Sequence, residues 1–228
     1  MSCDFCDEIN GKETVYNKIY GTKNRFVYST EHFLVFPCMG QLREGHLLIA
    51  SKPHVNAIGM LDGTSIEELE CLTLAAGEFF RKKYGKELLC FEHGVLNDDG
   101  TNGGCGIYHM HLHLLPIDYA EFLTILERIK AQETNMVCSV RGLEDTSRCV
   151  STQRTYIYLS CIREAKAAES YLVNNTDNYF ASQYMRKTIC EVLGKTEWDW
   201  RKILYAEPAF LNTLEKSRAY FSTKVDKM

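Results

Sequence analysis

Three of the seven histidines fall in one stretch, His109-Met110-His111-Leu112-His113-Leu114-Leu115-Pro116. Imidazole changes charge near neutral pH and serves as nucleophile, proton carrier or metal ligand. Alternation with apolar residues has the period of a β-strand. All three rings are therefore expected on one face, with Met110, Leu112 and Leu114 buried on the other. Pro116 has no N–H and is expected to end the pairing. At ~3.3 Å per residue, His109 and His113 would stand roughly 13 Å apart at their backbones, too far for one metal with bonds to nitrogen of ~2 Å. The three are expected to divide the work: one attacks, one steadies a charged group, and the outermost serves the structure. An adjacent His-x-His pair can still chelate, so a two-histidine metal site stays open.

The loop before this strand, Asn97-Asp98-Asp99-Gly100-Thr101-Asn102-Gly103-Gly104-Cys105-Gly106, points to phosphate as the charged group. Its glycines let backbone N–H groups converge on one concavity, an arrangement that suits an anion. At the N-terminus, Cys3-Asp4-Phe5-Cys6 is a C-x-x-C pair. It needs two further ligands to hold zinc. His54 and His109 are the candidates. In the second half Gln183, Arg186 and Arg201 stand out, because a planar guanidinium can grip phosphate. Read plainly, they are solvated groups on helices, and Trp198 and Trp200 are core residues. Glu92 or His93 points at the histidine face, depending on strand register.

The elements that must carry these groups follow from periodicity and turn signals. Short apolar runs at Arg25–Tyr28, Phe33–Phe36 and His46–Ala50 read as antiparallel strands. Ser65 and Glu68 form a capping-box pattern for a helix ending at Gly85. A strand at Leu88–Leu96 pairs with the histidine strand as a hairpin, and a helix follows at Tyr119–Ala131. Beyond a soft boundary in Glu133–Gln153, which contains a strand at Met136–Val140, strands are expected at Thr155–Leu159 and Glu169–Val173. Helices are expected at Tyr179–Leu193, Asp199–Tyr205 and Glu207–Phe221. That boundary divides the chain into residues 1–132, which hold the histidine strand, and 133–228.

At 228 residues, 45% hydrophobic and 25% charged, the composition is that of a globular protein. A net charge of −4 gives no support for nucleic-acid binding. No apolar run has the length of a membrane span, and the start lacks the features of a signal peptide. A cytoplasmic protein is expected. Its ten cysteines are mostly small buried hydrophobes kept reduced.

The histidine stretch resembles the signature of the histidine triad superfamily of nucleotide hydrolases and transferases. Gly45-His46-Leu47-Leu48-Ile49-Ala50-Ser51-Lys52-Pro53-His54 resembles that family's glycine-led strand, and Cys3-Asp4-Phe5-Cys6 the N-terminal pair of its zinc-bearing branch. Together they span about Cys3 to Asp118. The resemblance implies an α+β fold with a half-barrel antiparallel sheet, residues 1–132 forming the catalytic domain and 133–228 a mainly helical extension packed on it. It also implies that His111 attacks the α-phosphorus of a nucleotide to give a nucleotidyl-histidine intermediate, with His113 contacting the phosphate. Nucleotide contacts would fall on Phe36, Cys38, Asn97, Asp98, Gly104, Cys105, Gly106 and His113. A structural zinc would take Cys3, Cys6, His54 and His109, and no organic cofactor is implied. The sequence departs from the family at Cys38, where a ribose-gripping aspartate is usual, and at Cys105-Gly106, where Gln-Ser is common. Asp98 stands where an asparagine often faces the phosphate, with Asn97 beside it. Replacements are to be sought in the second half.

The expected function is hydrolysis at the α-phosphate of a phosphoanhydride, phosphoester or phosphoramidate of a nucleotide. The alternatives are a nucleotidyltransferase or phosphorylase that uses a second substrate as acceptor, and a nucleotide-binding protein whose catalysis has lapsed. A metalloenzyme using the His-x-His pair lacks the nearby acidic ligand such sites carry. The expected partner is a nucleotide, with no membrane or nucleic acid, and a homodimer is allowed.

Overall fold

The apolar runs of both halves of the chain assemble into one sheet. A computed structural model of the chain describes residues 3–21, 24–96, 107–149, 155–164, 166–177, 179–203 and 207–223. The first half carries α1 (Asp4–Ile9), α2 (Val15–Tyr20), β1 (Tyr28–Ser29), β2 (Phe33–Pro37), β3 (Leu47–Ser51), a 3-10 turn (Ile58–Met60) and α3 (Gly63–Tyr84). It continues through β4 (Glu87–Val95), β5 (His111–Ile117) and α4 (Tyr119–Lys130). The second half carries β6 (Asn135–Val140), α5 (Leu143–Cys149), β7 (Thr155–Arg163), β8 (Lys166–Asn175), α6 (Tyr184–Val192), α7 (Trp200–Ile203) and α8 (Glu207–Phe221). The architecture is α+β. No helix among the described residues is long and apolar enough to cross a membrane.

The sheet has eight strands in the order β1-β2-β3-β5-β4-β7-β8-β6, every pair antiparallel. Strand alternation sorts β5 as its sequence predicts. Met110, Leu112 and Leu114 enter a core with Leu69, Leu72, Phe79 and Phe80 of α3. On the opposite face, Leu115 and Ile117 meet Phe122, Ile125 and Ile129 of α4 and Ile189 of α6. β4 and β7 join the two halves over eight consecutive residue pairs, from Leu88↔Ile162 to Val95↔Thr155.

Several expectations need correction. Pro116 does not end the strand; it pairs with Leu88, and the ladder to β4 runs on to Glu87↔Ile117. Its rungs with β3 have already stopped at Leu47↔Leu114. The Pro116 carbonyl accepts from the Arg43 guanidinium there, so the missing N–H faces a side with no strand to pair. The α3 cap is Asp62, which accepts from the Ser65 backbone N–H at 2.8 Å and so satisfies one donor of the first turn. Glu68 turns instead to His32, accepting from its backbone N–H at 3.0 Å and meeting its Nδ1 at 2.6 Å. The second half holds three long strands alongside its helices. β7 is buried on both faces along all but its last residue, so it shows little alternation from which its length could be read.

One close approach fixes the local packing. Gly94 lies opposite Tyr156, whose ring covers it; a Cβ there would sit 2.2 Å from Cζ. The Tyr156 hydroxyl then reaches Glu92 at 2.5 Å and accepts from the Gly59 N–H. Glu92 also accepts from the Ile58 N–H, which ties the 3-10 turn to the sheet. Burial raises the Glu92 pKa to about 7, because a charged carboxylate is poorly solvated there.

Candidate active site

The parity of β5 decides where each histidine points. His109 precedes the strand and turns toward the N-terminal segment. Its Nδ1 lies 3.3 Å from Cys3 Sγ and 3.5 Å from Cys6 Sγ, while His54 Nδ1 lies 3.2 Å from Cys6 Sγ. The four ligand atoms all lie within 4.8 Å of one another. A tetrahedral ion with Zn–S of ~2.3 Å and Zn–N of ~2.0 Å would set its nitrogen and sulfur ligands about 3.5 Å apart, so these spacings fit. The other nitrogen, His109 Nε2, donates to the Ser51 carbonyl at 2.7 Å. That bond fixes the tautomer and leaves the Nδ1 lone pair toward the cysteines.

His111 and His113 share the face away from α3, with ring centroids 5.1 Å apart. His111 Nδ1 donates to the His109 carbonyl at 2.6 Å, which leaves the lone pair on Nε2. His113 stacks on Phe91 at 4.4 Å and 3°. Its Nδ1 is 2.9 Å from Nε2 of His46, a residue for which the motif reading names no role of its own. Proton positions follow from the backbone. The Leu42 N–H donates to His46 Nδ1, so His46 carries its proton on Nε2 and gives it to His113 Nδ1. His113 then carries its own proton on Nε2. Burial, reinforced by Arg186 near His46 and by His111 near His113, holds both pKa values well below the ordinary histidine value. Both rings are therefore neutral.

Cys38, His46 and His113 also cluster closely enough to suggest a second metal. The proton count opposes it. A metal on His46 Nε2 would displace the ring proton to Nδ1, against the Leu42 N–H.

A cleft of about 740 Å³, open solvent at its mouth included, runs over His111 and His113. α1 supplies one wall through Phe5 and Glu8, and Cys38 with Gly40 another. Arg186 and Trp200 close it from the second half. Phe5 packs edge-on against His109, His111 and Phe36 at 5.6, 5.4 and 5.5 Å. Phe36 is buried behind it. Glu8 is held by both terminal and inner nitrogens of Arg25, at 2.8 Å each. Of the two candidate arginines, Arg186 reaches the cleft while Arg201 is exposed beside Asp199. Gln183 braces Asp199 and the Trp200 N–H. Trp200, expected in the core, lines the cleft; Trp198 packs on the second core. The pairing Phe91↔His113 puts His93 on the histidine face and Glu92 on the other. Asn97, Asp98, Gly104, Cys105 and Gly106 lie outside the described residues.

The profile of the family described as "Scavenger mRNA decapping enzyme C-term binding" matches residues 13–126, half of the chain. This span holds the His46 strand and all three alternating histidines. The chain belongs to the histidine triad superfamily. Among curated relatives, an uncharacterized HIT-like protein of Mycoplasma genitalium is 26% identical over 115 residues, covering 50% of this chain and 72% of that protein. The protein named hit of Bacillus subtilis is 27% identical over 90 residues, covering 40% of this chain and 59% of its own length. A Zn-bound histidine triad family protein from Mycobacterium smegmatis aligns with a TM-score of 0.39 at 17% identity, covering 52% of this chain and 77% of that one. The family match leaves out Cys3 and Cys6 and all of 133–228.

Within this histidine triad site, His46 was legible in principle. Leu48 pairs with His113 and Ala50 with His111, so strand parity alone puts His46 on the same face.

Proposed function

We propose that the protein is a histidine triad nucleotide hydrolase in which His111 is the nucleophile. The observation that carries this reading is the hydrogen bond from His111 Nδ1 to the His109 carbonyl, which leaves Nε2 as the attacking nitrogen over the cleft. Nε2 donates its lone pair to the α-phosphorus, a P–N bond forms, and the bond to the leaving group breaks. The leaving group departs with its electron pair and takes a proton. Water then attacks phosphorus and releases one proton to solvent, replacing the one the leaving group took from it; the P–N bond breaks, and Nε2 recovers its lone pair. Negative charge builds on the non-bridging oxygens during both steps. His113, with its proton fixed on Nε2 by His46, is the donor in the cleft that meets it.

In the same reading Cys3, Cys6, His54 and His109 hold zinc. Bound there, zinc would be a closed four-ligand ion that fixes structure and takes no part in the reaction. The chain's residues do the chemistry, and the second half walls the cleft. The test is a mass-spectrometric screen of nucleoside phosphoramidates, dinucleoside polyphosphates and nucleotide sugars, run on the natural chain and on His111→Asn. A substrate cleaved by the natural chain should lose at least about a thousandfold in rate in the variant, roughly 4 kcal/mol. Near-equal rates for the two proteins would move the nucleophile elsewhere.

A further inference from the structure

Among the described residues, one buried cation of the cleft wall, Arg186, has no carboxylate paired with it. Arg186 is only 3% exposed, yet its guanidinium meets three neutral partners. Nε donates to the Trp198 carbonyl at 3.0 Å, Nη2 to the Gly40 carbonyl at 2.7 Å, and Nη1 to Cys38 Sγ at 3.8 Å. It makes no ion pair with a carboxylate among the described residues. Of the two carboxylates that line the cleft, Glu8 is committed to Arg25, and Asp4 is exposed on α1 and makes no ion pair with Arg186. A buried cation without an anion is costly, and its cost is offset when a ligand brings the charge. Arginine has five N–H donors. Three are used here, which leaves one on each terminal nitrogen, the fork that meets phosphate oxygens in pairs.

The place is built for this side chain. Gly40 leaves the room: a Cβ on it would lie 2.7 Å from Trp200 Cβ and 2.9 Å from Arg186 Nη2. The place is also separate from the attack position. The Cys38 N–H donates to the His46 carbonyl, so the guanidinium sits at the level of His46 along β3. His111 lies at the level of Ala50, four residues farther along the strand. Four residues of extended strand span ~13 Å. Arg186 and His111 line the same cleft from these two levels.

Resting on the nucleotide reading above, we infer that Arg186 forms a second anion subsite, and that the cleft selects nucleotides carrying a second phosphate beyond the one attacked. That phosphate belongs to the sugar or to an extended phosphate chain. Arg186 is then a specificity-determining residue supplied by the half of the chain outside the family match.

The experiment is calorimetric titration of the full, zinc-loaded chain with four probes: adenosine 5′-phosphate, its 3′- and 2′-phosphorylated forms, and adenosine 5′-diphosphate. A guanosine series runs alongside. At least one doubly phosphorylated form should bind ten or more times tighter than the monophosphate, and which form does so identifies the source. Arg186→Gln should cut that preference below threefold while changing monophosphate affinity less than threefold. Arg186→Lys should retain part of it. A preference near one in the natural chain overturns the inference and leaves the nucleotide reading standing. Equal weakening of all probes by Arg186→Gln overturns it in favour of a bracing role. If no nucleotide binds, both readings fail. Should Arg186→Gln not fold, the preference of the natural chain and of Arg186→Lys decides.

Discussion

A histidine that attacks phosphorus must keep one ring nitrogen unprotonated, and its neighbour must keep the matching nitrogen protonated. The chain uses two carbonyls and one backbone N–H to arrange this around His109, His111 and His113. Loss of His46 should therefore act through His113. In His46→Ala, the His113 proton is free to move to Nδ1, and kcat should fall tenfold or more with the KM for nucleotide changed less. Steady-state kinetics on an identified substrate reads this. The same buried rings, whose pKa values are lowered, set a pH dependence. Below the ordinary histidine pKa of ~6.5, the unfolded chain takes up protons that the neutral pair refuses. The stability they allow is thus present above that pH and lost as pH falls. Glu92 has the opposite sign. Its pKa is raised to about 7, so the folded state holds a proton that the unfolded chain has released. Its contribution is present below ~4.5 and lost as pH rises to about 7. Between pH 5 and 6.5, urea titrations should find the slope of stability against pH lowered in His46→Gln and raised in Glu92→Gln, each by about 1.4 kcal/mol per pH unit.

Among the elements, α1 carries the tightest link between the Cys3–Cys6–His54–His109 cluster and His111. With six residues, it is too short a helix to stand alone. It is held at Cys3 and Cys6, at the Glu8–Arg25 pair, and by Phe5 among three rings. With zinc held there as proposed, its removal by a strong chelator, or Cys3→Ser, should lower the melting temperature and speed amide exchange over residues 4–9. Because Phe5 touches His111, turnover should fall as well; unchanged turnover in a zinc-free chain with a mobile α1 would separate the two. Much at this scale was legible in advance. The histidine strand, its buried reverse face and the helix from Gly63 to Tyr84 all follow from periodicity. The Arg25–Glu8 and His32–Glu68 pairs do not, because each joins elements that no local pattern relates. The α3 cap went to Asp62 since two neighbouring residues were chemically fit for it. Arg186 and Arg201 are indistinguishable by sequence; only packing buries one and exposes the other.

At the scale of the whole molecule, the extension beyond residue 132 continues the sheet of the first half. Strand β4 sits between β5 and β7, and its side toward β7 would be bare without the second half. We propose that 1–132 does not persist alone: expressed by itself it should aggregate or unfold, and co-expression with 133–228 should recover soluble protein. The sheet ends at β1 and β6, so a second copy pairing by strand addition would have to use one of those edges. Sedimentation at several concentrations reads the oligomeric state.

The ring of Tyr156 over Gly94 has a consequence in genetics. Every single-base change in a glycine codon that alters the residue brings in a Cβ, and at this position no Cβ fits. The glycines at 11, 21, 63, 85 and 194 have open space where a Cβ would go. A library of all single substitutions should therefore be almost empty of survivors at position 94 and well populated at Gly63, whose φ also suits other residues. A codon whose residue faces away from the reacting histidines would then rank among the least forgiving in the gene.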